Sequence, residues 1–471
     1  MSEGHDEGRL RGLRTGRLGR LAQLGGTAAR LAGDAALAAG KLAATASTQA
    51  ASKSLHGRIG RTLAARLGEM KGLPMKVGQV MSYIDDFVPA DQRETWREAM
   101  RALQTHSQPM TTEVIAELLE RDLGQPIDVL FARFDREPVA AASIGQVHRA
   151  RLTDALGGHE VAVKIQYPGI AEAIDSDLRN VDGLVRTLSS VVPKFAVEQS
   201  LHDVAARVRE ECDYRRELDN HRLLETFWRG DPTVMIPEPV PERCGEKVLT
   251  SRWVDGQRFD VGIAGATQAE RDAWGVAIFR FAFRSMYVLG AFNGDPHPGN
   301  YLLLPEGRVA FLDHGCVQRY DRQTLLGFAQ VRNAAGRGLR GDALYEACAA
   351  GYGLPLDADA ELRATIADYL TLSFEPLLAA QPYAYDRAYT RRLGQATAAM
   401  KLQVGKKLWK TGVFDLKTPG AVFLLRINFG LNSVLADLGA RADWPELVQS
   451  FYIAAGIPVL EQQNLSVASS S

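Results

Sequence analysis

Cysteine is scarce in this chain and never clustered. Cys212, Cys244, Cys316 and Cys348 lie far apart, with no Cys-x-x-Cys among them. That pattern excludes a disulfide framework and a thiolate zinc site, and it fits a reducing cytosol. An excess of one charge is also lacking. A net charge of −1 leaves no overall field of the kind that draws a protein to nucleic acid, so no nucleic-acid partner is expected. Long apolar runs are missing too. Residues 279–292 are interrupted by Arg280 and Arg284, and residues 451–460 are too few to supply the roughly 20 apolar residues of a membrane-spanning helix. The N-terminus scatters arginines with no compact apolar stretch, which argues against a secretory signal. The expected location is cytoplasmic, with any membrane contact peripheral and at the inner face.

What is present reads as an ordinary globular protein. Apolar residues make up 46% of 471 and charged residues 24%, enough for a large core. Five regions follow from composition and periodicity. Residues 1–70 are rich in Ala, Leu, Gly and Arg. Leu10, Leu13, Leu18, Leu21, Leu24 and Leu31 recur near helical spacing, and between Arg9 and Arg30 there are six arginines and no acid. This is an amphipathic helical segment with glycine interruptions. It either packs on its own domain or lies on a membrane surface. Residues 71–123 carry Lys76-Val77-Gly78-Gln79 and a helix at Thr112–Leu123. Residues 124–256 hold strand-like runs at 139–153, 160–166 and 247–254, with a long charged helix at 197–228 between them. Residues 257–460 hold an apolar-faced helix at 268–289, a short hairpin of 301–304 with 308–312, and helices from about 321 onward. Residues 461–471 form a disordered tail. A β-rich segment thus precedes a helix-rich one, an α+β plan in two lobes.

The chemistry is concentrated in one stretch. Asp295 opens Asp-Pro-His-Pro-Gly-Asn, so Asn300 follows five residues later, and Asp313 comes thirteen further on in Leu-Asp-His-Gly. Phosphoryl transfer from ATP needs an acid at the acceptor, plus an oxygen ligand and a second carboxylate to hold Mg²⁺. Protein kinases meet the need with Asp-x4-Asn, a short hairpin and a metal-binding Asp, and this spacing repeats that layout. Asp295 is the candidate catalytic acid, and Asn300 and Asp313 supply hard oxygen ligands for Mg²⁺. His297 is expected to stabilise the turn. Upstream, Val161-Ala162-Val163-Lys164 ends in an ammonium that can clamp phosphate oxygens as a point charge. Such a lysine needs an acidic partner. On one continuous helix Glu210, Asp213 and Glu217 share a face, and Glu211 points roughly 120° away from Glu217. One face is then available to Lys164 and the other to a different basic residue. Ala140, Ala141, Ala142, Ser143, Ile144 and Gly145 stand where a kinase places its glycine-rich phosphate loop. Only one glycine is present, and each alanine adds a Cβ that limits how closely backbone approaches a phosphate.

Together these residues resemble the UbiB/AarF-type atypical kinase family, which includes coenzyme Q-biosynthesis members. The residues that carry the resemblance are Lys76 to Gln79, Ala140 to His148, Val161 to Lys164, Glu211 to Asp213 and Asp295 to Asn300. The resemblance implies a bilobal protein-kinase-like fold with a helical N-terminal extension over the active site. It implies ATP (or ADP) and Mg²⁺ as cofactors, with Lys76, Gln79, Glu211 and Asp213 on the nucleotide side. Glu211 and Asp213 would meet the Lys76 segment, and Glu217 would pair with Lys164 as part of the catalytic set. Three departures stand out. His314 follows Asp313 where the family usually has Phe. Arg252 occupies a strand position where members often carry Glu. The transmembrane segments that often end family members are missing.

The leading expectation is an atypical kinase or ATPase that holds Mg-nucleotide between two lobes and supports isoprenoid-quinone or related lipid metabolism. The alanine loop and the covering extension argue against a protein substrate. Isoprenoid-quinone precursors or other lipids, a membrane surface and a second copy of the chain are the expected partners beside the nucleotide. The alternatives are a small-molecule kinase of the aminoglycoside or choline type, and a nucleotide-gated lipid-binding protein with little turnover.

Overall fold

A computed structural model describes residues 110–142, 144–172, 211–411 and 421–459. The segment at 1–70, Lys76, Gln79, Ser143, Glu210 and the tail lie outside the described residues. Contact density divides the chain into two units. The first holds the described residues up to Asp219 together with Glu238–Trp253, and the second holds Asn220–Pro237 and the described residues from Val254 on.

The first unit is built on an antiparallel sheet. Strands β1 (Phe131–Phe134), β2 (Ala140–Ala141), β3 (Gly145–Leu152) and β4 (Glu160–Gln166) are joined by the strand Val248–Arg252. β3 lies between β1 and β4, with β2 also on β3, and β4 pairs with Val248–Arg252. β4 shows why a strand forms here. Val161, Val163 and Ile165 alternate along it and are all fully buried, the period-2 pattern of a half-buried sheet. The helix Thr112–Leu123 covers that face with Ile115, Leu118 and Leu119. Its start is capped by Thr111 Oγ1, and Gly124 ends it at φ 74°, a left-handed conformation that glycine takes without strain. Asp122 ties the helix end to the sheet by accepting from the Glu246 N–H (3.1 Å) and the Lys247 N–H (2.9 Å).

The expected long helix at 197–228 is not continuous. Helix ends at Glu211, Cys212 turns, and a new helix runs from Tyr214 to Trp228. Asp213 is the reason. Its carboxylate accepts from the Arg216 N–H at 3.0 Å, and its carbonyl accepts from the Glu217 N–H at 3.0 Å. That is an N-cap, a position Asp favours over a helix interior. The inference that Asp213 shares a helical face with Glu217 therefore fails.

The second unit is mostly helical. Gln268–Arg284 begins with a complete capping box, Thr267 with Glu270. The helix expected to reach Leu289 changes to a π-helical turn at Ser285–Leu289, ends on Gly290 at φ 71°, and feeds the strand Ala291–Asn293. That strand pairs with Val317–Arg319. The expected hairpin is present as Tyr301–Leu303 against Val309–Phe311, with Leu303 opposite Val309 and Tyr301 opposite Phe311. It is flanked by Val234–Met235 and Gln257–Arg258. Helices from Arg322 to Ala454 complete the core. A two-stranded pairing of Tyr383–Ala384 with Arg441–Ala442 lies among them. Among the described residues no helix is long and apolar enough to cross a membrane.

Candidate functional site

In the first unit, β4 sets Lys164 opposite Val147 of β3 and Leu249 of Val248–Arg252. Its side chain is only 18% exposed. Its ammonium donates to both oxygens of Glu217, at 2.8 and 3.0 Å, and lies 5.0 Å from the centre of the Tyr214 ring. Glu217 is 1% exposed. A carboxylate so buried carries a desolvation cost that its partner must offset. The Asp213 cap and this ion pair sit in successive turns of one helix. Asp213 thus positions the helix start that carries Glu217, and its own carboxylate is engaged with backbone. Glu211 lies just before the turn, half-buried.

The alanine segment is a tight hairpin. Ala140 and Ala141 form β2 and are exposed, the Ala142 N–H donates to the Gly145 carbonyl at 2.8 Å, and the Ile144 carbonyl accepts from the Tyr167 N–H at 2.9 Å. The Ile144 side chain is buried. Gly145 is required by packing, because a Cβ there would strike the carbonyl of Ile165 on the neighbouring strand. The Ala142 N–H is therefore already committed within the turn, unlike the open amides of a glycine-rich phosphate loop.

Beneath this turn runs a buried relay that motif reading missed. The Gln146 side chain accepts from the Met110 N–H (2.9 Å) and donates to His148 Nε2 (2.7 Å), while His148 Nδ1 contacts the Asp135 carbonyl at 2.9 Å. A carbonyl only accepts, so the His148 proton is assigned to Nδ1 and Nε2 is the acceptor. The chain of donors closes only with a neutral imidazole. Burial pushes the His148 pKa below its ordinary 6.5.

In the second unit, the Asp295 loop and the Asp313 loop are tied together. Asn300 Nδ2 donates to the Asp295 carboxylate at 3.1 Å and to its carbonyl at 3.2 Å. The Leu312 N–H donates to the Asn300 carbonyl at 3.0 Å, and Asp313 Oδ1 accepts from the Gly315 N–H at 3.0 Å. His297 closes the turn by accepting at Nδ1 from the Gly299 N–H. Asn293, which sequence reading passed over, is the staple. Its Oδ1 accepts from the Asp295 N–H (3.2 Å) and its Nδ2 donates to the Asp313 carbonyl (2.8 Å). The available signal was an Asn two residues before the key Asp, the spacing at which Asx side chains capture a backbone N–H. Pro296 rests against Gly430 of the helix Ala421–Leu438, where any Cβ would collide with the proline ring.

Two of the departures take defined places. His314 is fully buried, its ring 4.5 Å from that of His221, and its carbonyl accepts from Asn220 Nδ2 at 3.2 Å. Arg252 pairs with Glu238 at 3.3 Å.

Oxygen chemistry decides whether this loop pair suits a hard cation. Asn300 turns its NH₂ toward Asp295, so its Oδ1 is the remaining acceptor, and Asp313 contributes a carboxylate. Amide and carboxylate oxygens suit Mg²⁺, which takes one or two protein ligands and completes its shell with phosphate and water. Among the described residues there is no group of three His, Cys, Asp or Glu that could hold a metal on its own, so a softer all-protein site is not available there.

Comparison with known proteins agrees with the layout. Residues 102–336 match the ABC1 atypical kinase-like domain. Activity of BC1 complex kinase 1, a chloroplastic protein of Arabidopsis thaliana, is 34% identical over 264 residues, covering 53% of this chain and 36% of its own length. The mitochondrial atypical kinase COQ8 of Saccharomyces cerevisiae is 28% identical over 311 residues, 65% of this chain and 60% of that protein. The chain thus spans less than two thirds of these relatives. Among solved structures, the erythromycin complex of Rv3197 from Mycobacterium tuberculosis superposes with a TM-score of 0.56 at 28% identity, covering 88% of this chain and all of the other. The fold is α+β and kinase-like, and the chain belongs to the UbiB/AarF-type family of ABC1 atypical kinases.

Proposed function

We propose that this chain is an ATP-dependent atypical kinase or ATPase that serves isoprenoid-quinone or related lipid metabolism. The observation that carries the reading is the stapled pair of loops holding Asp295, Asn300 and Asp313, with Asn293 bonded to both. Lys164, preset by Glu217, would grip the nucleotide phosphates. Asn300 and Asp313 would hold Mg²⁺, which neutralises charge on the phosphates when bound. Asp295, half-buried and accepting from Asn300, would orient an acceptor hydroxyl or water and take its proton. The Ala142 N–H, engaged by Gly145, supports a nucleotide loop that is restrained compared with a protein kinase's. Family membership with proteins named as atypical kinases supports the class. A relative named as the atypical kinase COQ8 supports the quinone setting.

The test is nucleotide binding and turnover by the full chain, with and without Mg²⁺, liposomes and quinone precursors. Metal-dependent binding that Asp313→Asn abolishes, together with turnover that Asp295→Asn lowers without loss of binding, is expected. Metal-independent binding that survives Asp313→Asn would overturn the assignment. One observation favours a second reading, a nucleotide-gated binder with little turnover. The Mycobacterium tuberculosis structure is a complex with erythromycin, a molecule that is not a nucleotide. Nucleotide binding without hydrolysis, even with lipid present, would select that reading.

A further inference from the structure

The helical core of the second unit encloses a cavity of about 70 Å³, lined by none of the residues assigned to the candidate site. Its walls are Phe279, Phe283, Met286, Phe292, Leu370 and their neighbours. A cavity with such walls needs no polar group, yet Arg332 lines it. Arg332 is 9% exposed, and its Nε is buried with no hydrogen-bond partner among the described residues. No carboxylate pairs with it there. Its contacts are a 3.4 Å bond from Nη1 to Asn333 Oδ1 and the face of Tyr452 at 5.8 Å, both weak. A buried guanidinium without a counter-ion is strongly unfavourable. Elsewhere in this unit the half-buried Arg280 is closed by Asp231 at 2.7 Å.

We propose that this cavity is a binding site for a small monocarboxylate with a short apolar body, its carboxylate on Arg332 and its chain among the phenylalanines. The charge count selects the class. One guanidinium neutralises one negative charge, whereas a phosphate dianion would leave net charge buried. The planar fork of arginine matches a carboxylate with two parallel bonds. Tyr452 and Tyr287, whose hydroxyls are 3.4 Å apart, also line the cavity. Burial raises both phenol pKa values, and because the Tyr452 hydroxyl donates to Tyr287, the Tyr287 hydroxyl keeps the proton that a neutral donor to the same carboxylate needs. The size selects a short chain. The cavity is about half the ~150 Å³ of an engineered apolar cavity that admits benzene, too small for a macrolide or a sterol.

Calorimetric titration of the full chain with acetate, ethanol and inorganic phosphate tests this. Saturable binding of acetate is expected, with ethanol and phosphate each at least about tenfold weaker, since a bond to a charged group is at stake. Arg332→Met should remove the preference for the acid. Ser373→Leu, which narrows the cavity and leaves the arginine in place, should weaken acetate by a similar factor. No saturable acetate binding to the unaltered chain would overturn the proposal. Equal affinity for acetate and ethanol would overturn it too, and that comparison needs no variant to fold. Acetate binding by Arg332→Met at wild-type affinity would do the same.

Discussion

Lys164 and Asp313 are both charged groups at the ends of short runs of apolar strand, yet the two units hold them by different means. Lys164 is fixed by an opposite charge, with Glu217 buried beneath it and Tyr214 beside it. Asp313 and Asp295 receive bonds from neutral groups, the amides of Asn293 and Asn300 and backbone N–H donors. The difference fits the proposed roles. A cation that is to grip phosphate keeps its place when its counter-charge is already built in. Neutral amides orient the loops of a carboxylate that is to receive a metal without adding a charge of their own. The first arrangement makes the site part of the fold's stability. The second leaves stability and site nearly separate.

Breaking the ion pair should therefore have the largest effect, and on folding. Lys164→Met leaves the Glu217 carboxylate buried without its ammonium and should cost about 3–5 kcal/mol by urea unfolding. Lys164→Met combined with Glu217→Leu should recover much of that loss. A double variant no more stable than the single one would show that the orphaned carboxylate is not what destabilises the single variant. Cutting the amide staple should do the reverse. Asn293→Ala should lower Mg-dependent nucleotide affinity about 10- to 100-fold, the usual effect of losing a group that orients a metal ligand, while the unfolding midpoint stays near wild type. A large stability loss with unchanged affinity would reverse the contrast between the units.

Asp213→Ala removes the cap that starts the Glu217 helix and should cost about 1 kcal/mol. Asp213→Asn, which can still cap, should restore most of it. The smallest effect is a pH dependence in the first unit. His148 is neutral in the fold and its pKa is lowered, so the unfolded chain binds a proton first as pH falls. Stability from this group is full above about pH 6.5 and declines below it, by at most about 1.4 kcal/mol per pH unit. Urea midpoints of wild type and His148→Gln between neutral pH and mild acid should diverge in that window. Parallel profiles would remove His148 from the account.

Much of this fold is written in short-range pattern. Val161, Val163 and Ile165 announce β4 by alternation, Thr111 and Gly124 bracket the first helix, and Asp295 to Asp313 outline a loop and hairpin by spacing alone. What was not legible depends on competition or on distance. Charge periodicity at 197–228 favours one long helix, but a capping Asp213 outcompetes it. The pairing of Tyr383–Ala384 with Arg441–Ala442 joins residues almost sixty apart, and the Tyr385–Trp444 ring contact beside it is made only in the assembled core. Asn293 looks like any strand-end asparagine until both of its amide atoms find partners from two separate loops. The buried Arg332 reads in sequence as one more charged helix residue.

Asn293 also stands before Gly294, and an Asn-Gly pair is the dipeptide most prone to spontaneous loss of ammonia through attack of the glycine nitrogen on the side-chain amide. Here that nitrogen donates to the Cys316 carbonyl at 2.7 Å, and the amide is held at both ends. The native fold thus shelters the bond from chemical ageing, and any local opening of the strand exposes it. Once deamidated, position 293 would turn a donor to the Asp313 carbonyl into a negative oxygen facing it. The same residue that holds the two loops together is then the place where an old molecule, intact in mass to within a single unit, would lose its site first.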